Sequence, residues 1–274
     1  MTSLNHLRLG FVGLAAVLAL TLGWNLARNT PNLPSNSNSR RIEPSAASIG
    51  ERFARERAFM ASRLTAAPDY AEFARKYSTS YPSDWGSLLD KLAQRRIAGE
   101  PLETPDATFI EALRDLRRSR GVVAAKASAP ALSRIFETQA AMLAALSVLD
   151  RRLCVDFLFG QPSQGILDLA ARHPGLTARI ANAAIDAILD GNANNISRGA
   201  PTDSDFDLLE AGLRSNGLSK PEIEVFLDGR HPDPPLPDER LCEAGITYLD
   251  VMKRLPEEPR LRLYALAVEL MGRM

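Results

Sequence analysis

Residues 9–27, LGFVGLAAVLALTLGWNLA, carry no charged side chain. As a helix rising roughly 1.5 Å per residue, this run just spans a hydrocarbon core of about 30 Å. Only glycines, Thr21 and Asn25 interrupt it, and Trp24 and Arg28 at its end suit a membrane interface. A helix satisfies its own backbone groups in lipid, so the expectation is a single transmembrane helix over 9–27, preceded by a short tail, 1–8. A cleaved secretory signal is the first alternative, although Asn25-Leu26-Ala27 lacks the small residue three positions before the cut. A buried soluble helix is the second. His6 and Arg8 precede the run and Arg28, Arg40 and Arg41 follow it, so positive charge does not decide the orientation. The folded mass all follows the helix, which favours an extracytoplasmic domain, periplasmic in a bacterium.

Residues 28–48 are rich in Pro, Asn and Ser and read as a disordered linker. What remains, 49–274, is long enough for one large domain, with possible sub-halves 49–128 and 129–274. Alanine, leucine and arginine dominate and alternating β-branched runs are almost absent. The fold expected is all-α: a multi-helix orthogonal bundle or a stack of helical hairpins. Basic and acidic residues balance at 33 each and aromatics make up 6%. Neither figure gives a reason to propose nucleic acid as a partner. The partners expected are the membrane, through 9–27, and a protein of unknown identity.

Along the domain, Ile49, Phe53, Met60 and Leu64 recur at helical spacing, and Pro68 breaks that run. A short helix over 69–77 carries Tyr70, Phe73 and Tyr77 on one side. Ser83 or Asp84 caps the next helix, through Trp85, Leu88, Leu89, Leu92 and Ile97, which Gly99 ends. Thr104-Pro105-Asp106 opens another, with Phe109, Leu113 and Leu116 in one stripe and Gly121 as its stop. Arg114, Arg117, Arg118 and Arg120 crowd that end. They are candidates for contact with an anion or a partner, or else simply complement the helix dipole.

Residues 131–160 form the most hydrophobic stretch of the domain and read as its buried central helix. Leu143, Leu146 and Leu149 should be nearly inaccessible, with Phe157 packed below them. Asp150, Arg151, Arg152 and Asp156 interrupt the stretch, and buried charges one turn apart, such as Arg152 and Asp156, must pair. From 164 to 229 the chain carries a faint duplication, DLAARHPGLTARI…ILDG beside DLLEAGLRSNGLSKPEI…FLDG. Each half reads as a helix, a left-handed corner at Gly175 or Gly217, and a second helix starting near Thr177 or Ser219 and closed by Leu-Asp-Gly. Loops at 191–201 and 228–239 follow the two copies. Two last helices run from about Asp238 through Met252 and onward from Pro256.

No nucleophile elbow, phosphate loop, zinc-protease motif or dinucleotide fingerprint is present. Catalytic candidates are therefore single residues: Asp150, Asp156, His173 and His231. No metal-ligand spacing and no cofactor signature occur. Cys154 and Cys242 both fall on apolar helical stretches. In an oxidising compartment they should form a disulfide, with Cα atoms about 4.4–6.8 Å apart. The function expected is a membrane-anchored, extracytoplasmic helical module for protein interaction, scaffolding or envelope assembly. An envelope hydrolase using carboxylates near Asp150 and Asp156 is one alternative, and a helical protein secreted after signal cleavage is another.

Overall fold

A computed structural model describes residues 46–160, 163–230 and 232–273. The membrane helix expected at 9–27 and residues 28–45 of the linker expected at 28–48 lie outside the described residues, and the last three linker positions, 46–48, are not a linker but the first turn of a helix. Among the described residues twelve α-helices follow one another without a strand. They are α1 (Ala46–Thr65), α2 (Ala71–Ser80), α3 (Pro82–Ile97), α4 (Pro105–Ala124), α5 (Ala129–Leu149) and α6 (Arg151–Leu158). The second half continues with α7 (Gln164–Arg172), α8 (Pro174–Asn194), α9 (Asp203–Ser215), α10 (Lys220–Asp228), α11 (Asp238–Arg254) and α12 (Glu257–Arg273). A 3-10 turn, Pro68–Tyr70, leads into α2. The domain is all-α, as its composition requires.

Local chemistry sets several of the boundaries. The Thr104 hydroxyl accepts the Ala107 N–H at 3.3 Å, and Pro105 follows at the first helical position. Gly99 closes the segment after α3 at φ 79°, where a side chain would be strained. The cap expected at Ser83 or Asp84 is displaced. Pro82 itself opens α3, with Tyr81 at the N-cap, and Asp84 pairs with Arg120 instead.

The glycines separate sequence from structure most sharply. Gly121 does not stop α4, which continues to Ala124. A Cβ on Gly121 would lie 2.7 Å from the Gly272 Cα, so here α4 and α12 meet backbone to backbone. Gly191 likewise lies inside α8, which runs on to Asn194 and turns at Asn195 with φ 45°. A Cβ on Gly191 would come 2.1 Å from the Val123 carbonyl oxygen. We expect Gly191→Ala to cost about 1–3 kcal/mol, because the obstacle is backbone that cannot rotate aside. A urea unfolding midpoint unchanged from the parent chain would contradict this close approach.

The apparent duplication survives in one copy only. In the second hairpin Gly217 at φ 87° turns α9 toward α10, and Gly229 at φ 64° closes α10, as expected. In the first, the corner is His173-Pro174, and Gly175 sits in the opening turn of α8 without a positive φ. The Leu189-Asp190-Gly191 tripeptide lies within that helix and does not end it.

One continuous hydrophobic cluster joins residues from Met60 to Met271. α8 packs against α2, α4, α5 and α7, while α4 also packs on α12. An aromatic group formed by Tyr70, Phe73, Tyr77, Trp85 and Phe109 fills the end under α1 and α3, with Tyr70 stacked on Phe109 at 4.5 Å. Met60 and Leu64 of α1 are buried, but Ile49 is exposed.

The apolar stretch expected as one central helix is two, broken at Asp150 into α5 and α6. Leu143 and Leu146 are fully buried, as expected, and Phe157 is buried with them. Leu149 is not: it is 54% exposed, next to Val148 at 86%. Position at the helix end explains the difference. Leu149 lies three positions after Leu146 and so near the same face, but it is the last residue of α5, where the chain breaks at Asp150, while Val148 lies on the opposite side. Among the described residues α5 is also the one helix long and apolar enough to cross a membrane by length and composition. Its packing against α6, α8, α11 and α12 makes it part of the domain core.

Candidate functional site

The corner between α5 and α6 gathers most of the candidates. Asp150 is the N-cap of α6, where its Oδ1 accepts the Arg152 N–H at 2.8 Å and the Leu153 N–H at 3.2 Å. One turn on, Arg152 Nε lies 3.1 Å from Asp156 Oδ1, and its other branch reaches Asp238 of α11 at 3.5 Å. Asp156 is buried, so its partner is the one that the spacing predicted. Between these two acids of α6, four residues after Asp150 and two before Asp156, Cys154 is bonded to Cys242 on α11. The Cα atoms are 5.7 Å apart, and both side chains are fully buried. Ion pair and disulfide therefore clamp the same two helices together.

These groups can orient helices, and a hydrolytic role would require them to give up that work. Asp150 would have to abandon a helix end whose orphan N–H groups it satisfies. Asp156, itself buried, would have to leave its paired cation, the exposed Arg152.

The other sequence candidates are dispersed. His173 sits at the junction of α7 and α8, its N–H donating to the Leu169 carbonyl at 2.8 Å. His231 lies outside the described residues. The arginines of α4 do not form a terminal cluster, because the helix continues past them. Arg120 grips Asp84 at 2.9 Å and lies 4.4 Å over the Tyr81 ring. Arg114 reaches Asp115 at 3.9 Å, and Arg118 is exposed. Arg117 turns inward beside Gly121, Ile135 and Met271, around a cavity of about 20 Å³. Burial there pulls its guanidinium down to about 10. Two further cavities, of about 10 and 20 Å³, lie between α4, α5 and α7 and beside Met60 and Leu92. Each has room for about one water molecule. Among the described residues no group of three or more His, Cys, Asp or Glu is placed to hold a metal ion.

The strongest electrostatic sites are ones the sequence reading passed over. Asp205 belongs to a capping box: it accepts the Thr202 N–H at 2.8 Å, and its own N–H donates to the Thr202 hydroxyl at 3.3 Å. Arg262 of α12 then donates twice to the same carboxylate, at 2.7 and 2.8 Å. Glu222 repeats the device. It accepts both the N–H and the hydroxyl of Ser219 at 2.7 Å and pairs with Arg240 of α11 at 2.6 Å. Burial pushes the Glu222 carboxyl up, but the Ser219 hydrogen bonds and the Arg240 charge outweigh it and hold it below the ordinary range. Thr202-x-x-Asp205 and Ser219-x-x-Glu222 are legible capping-box patterns. Their long-range arginines are not.

For Asp205 the hydrogen bonds from Arg262 come first, and they lower the carboxyl from 3.8 to about 2. A depressed carboxylate stabilises the fold fully above its unfolded value and loses that contribution as pH falls toward the folded one. The window is thus roughly pH 4 down to pH 2. Urea midpoints at pH 5 and pH 2.5 should fall further in the parent chain than in Asp205→Asn, which is already weakened at pH 5. Equal acid losses in the two proteins would show that folding does not depress the Asp205 carboxyl.

Compared with family models, curated proteins and solved structures, the chain matches none.

Proposed function

We propose that this chain is a membrane-anchored, extracytoplasmic module for protein interaction, scaffolding or envelope assembly. Residues 9–27 act as its single-pass anchor, and an orthogonal arrangement of helical hairpins displays its surfaces. The observation that carries this reading is the clamp at α6 and α11. A buried disulfide supports assembly in an oxidising compartment. Around it, Asp150, Arg152 and Asp156 are spent on a helix cap and an ion pair, which suits a rigid frame better than a reaction centre.

Fractionation and crosslinking test the two halves of the proposal. The intact chain is expected to stay with membranes through an alkaline wash, and a shortened chain beginning at Ser48 to stay in the supernatant. Release of the intact chain by the wash would end the anchor reading. Recovery of a mature chain beginning near Arg28 would establish the secreted alternative. In intact membranes a short-range crosslinker should convert the chain into discrete heavier adducts. A chain that remains monomeric at every crosslinker dose would remove the interaction role.

A further inference from the structure

The outer line of α5 runs Arg134, Glu137, Ala141, Ala144, Val148, one residue per helical turn. Arg134 and Glu137 form a charged pair at one end, 3.7 Å apart. From Thr138 to Leu149 there is no charged side chain at all. The line ends in the two apolar residues Val148, 86% exposed, and Leu149, 54% exposed. Directly after them come the exposed Asp150, Arg151 and Arg152. Asp150 spends its carboxylate on the α6 N-terminus, and Arg152 divides between Asp156 and Asp238. Arg151 stands beside them, also exposed.

Size decides what could cover this corner. The uncharged exposed ridge from Ala141 to Leu149 is about 12 Å long and on the order of 10 Å wide. A stable protein interface buries about 800 Å² on each partner, several times this footprint. A lipid surface needs far less, provided that the domain is already held beside it. The stretch 28–45, at most about 3.5 Å per residue, keeps the start of α1 within roughly 60 Å of the end of the apolar run. At such range the bilayer is present at high effective concentration, so a weak contact is occupied.

We propose that the α5–α6 corner is a second membrane contact, in which Val148 and Leu149 dip into the lipid interface and Arg151 lies among the headgroups. This rests on the anchored reading above. The contact fixes the attitude of the domain: with the anchor at one point and the corner at another, it lies on the bilayer and no longer swings on its linker. Val148 and Leu149 supply apolar area, and Arg151 adds attraction where the lipids are anionic. Replacing both side chains by aspartate should weaken the contact on the order of a hundredfold.

The test uses the full chain with Val148→Cys, labelled with an environment-sensitive fluorophore and reconstituted into phosphatidylcholine vesicles with and without phosphatidylglycerol. Cys154 and Cys242 are bonded and buried and do not take the label. A matching label at Thr79→Cys on α2, an exposed position on another helix, serves as reference. The expected result is blue-shifted emission at 148, quenched by lipid-borne spin labels and strengthened by phosphatidylglycerol, with water-like emission at 79. Adding Leu149→Asp should return the 148 signal toward that in water. Three results overturn the proposal. Water-like emission at 148 in a chain that withstands the alkaline wash refutes the corner and leaves the anchor standing. A blue shift that lipid quenchers do not touch and that grows with chain density assigns the corner to a second copy or another protein. Loss of the chain from the vesicles in the wash removes the anchor and this contact together.

Discussion

Replacing Cys154 and Cys242 together by alanine is expected to lower the stability of the folded domain by roughly 4 kcal/mol. The bridge spans 88 residues of sequence, a segment that holds α7 to α10 in full. Closing a loop of that length restricts the unfolded chain far more than a short crosslink would. At about 2–4 °C per kcal/mol for a domain of this size, the melting temperature should drop by about 8–16 °C. Alanine is preferable to serine here, since both positions are fully buried and a hydroxyl would be left to find a partner. The Arg152–Asp156 pair should survive the change, because it is local to α6, whereas the Arg152–Asp238 contact across to α11 should loosen. A thermal melt of the double variant that coincides with that of the parent would show that the bridge does not close in the folded protein.

The second large effect is expected in α5. Leu146→Ala should cost about 2–5 kcal/mol, as the side chain is fully buried in the hydrophobic cluster. Leu149→Ala, three positions later on the same helix, should stay within about 0.5 kcal/mol, because more than half of that residue is already in water. The pair isolates burial from helix propensity, since both replace leucine by alanine near the end of one helix. Urea unfolding with an unchanged slope and a lowered midpoint is the signature to look for at Leu146. A loss below half a kcal/mol at Leu146, or a loss at Leu149 as large as at Leu146, would mean that the helix is rotated from the orientation described.

Much of the local structure was written in short-range chemistry. Thr104-Pro105, the stop at Gly99, the hairpin corner at Gly217 and the apolar phase of Leu143 and Leu146 all depend on contacts within a few residues, so the sequence alone determines them. The helix class followed from composition for the same reason. The Cys154–Cys242 pairing was legible at longer range only because the described chain holds no other cysteine to compete for it. The tertiary structure decided what depends on neighbours distant in sequence. Gly121 and Gly191 look like helix stops in isolation, yet Gly272 and Val123 approach them so closely that only glycine fits, and each helix runs on. The arginines of α4 look like one basic cluster, yet their helix does not end there, and Asp84 and the protein interior draw them apart. Leu149 shares its composition with Leu146 but not its fate, because Asp150 breaks the helix directly after it and leaves more than half of that end residue in water. Backbone approach, ion-pair choice and the covering of a helix face are properties of pairs of surfaces, and a sequence read in order specifies one member of each pair at a time.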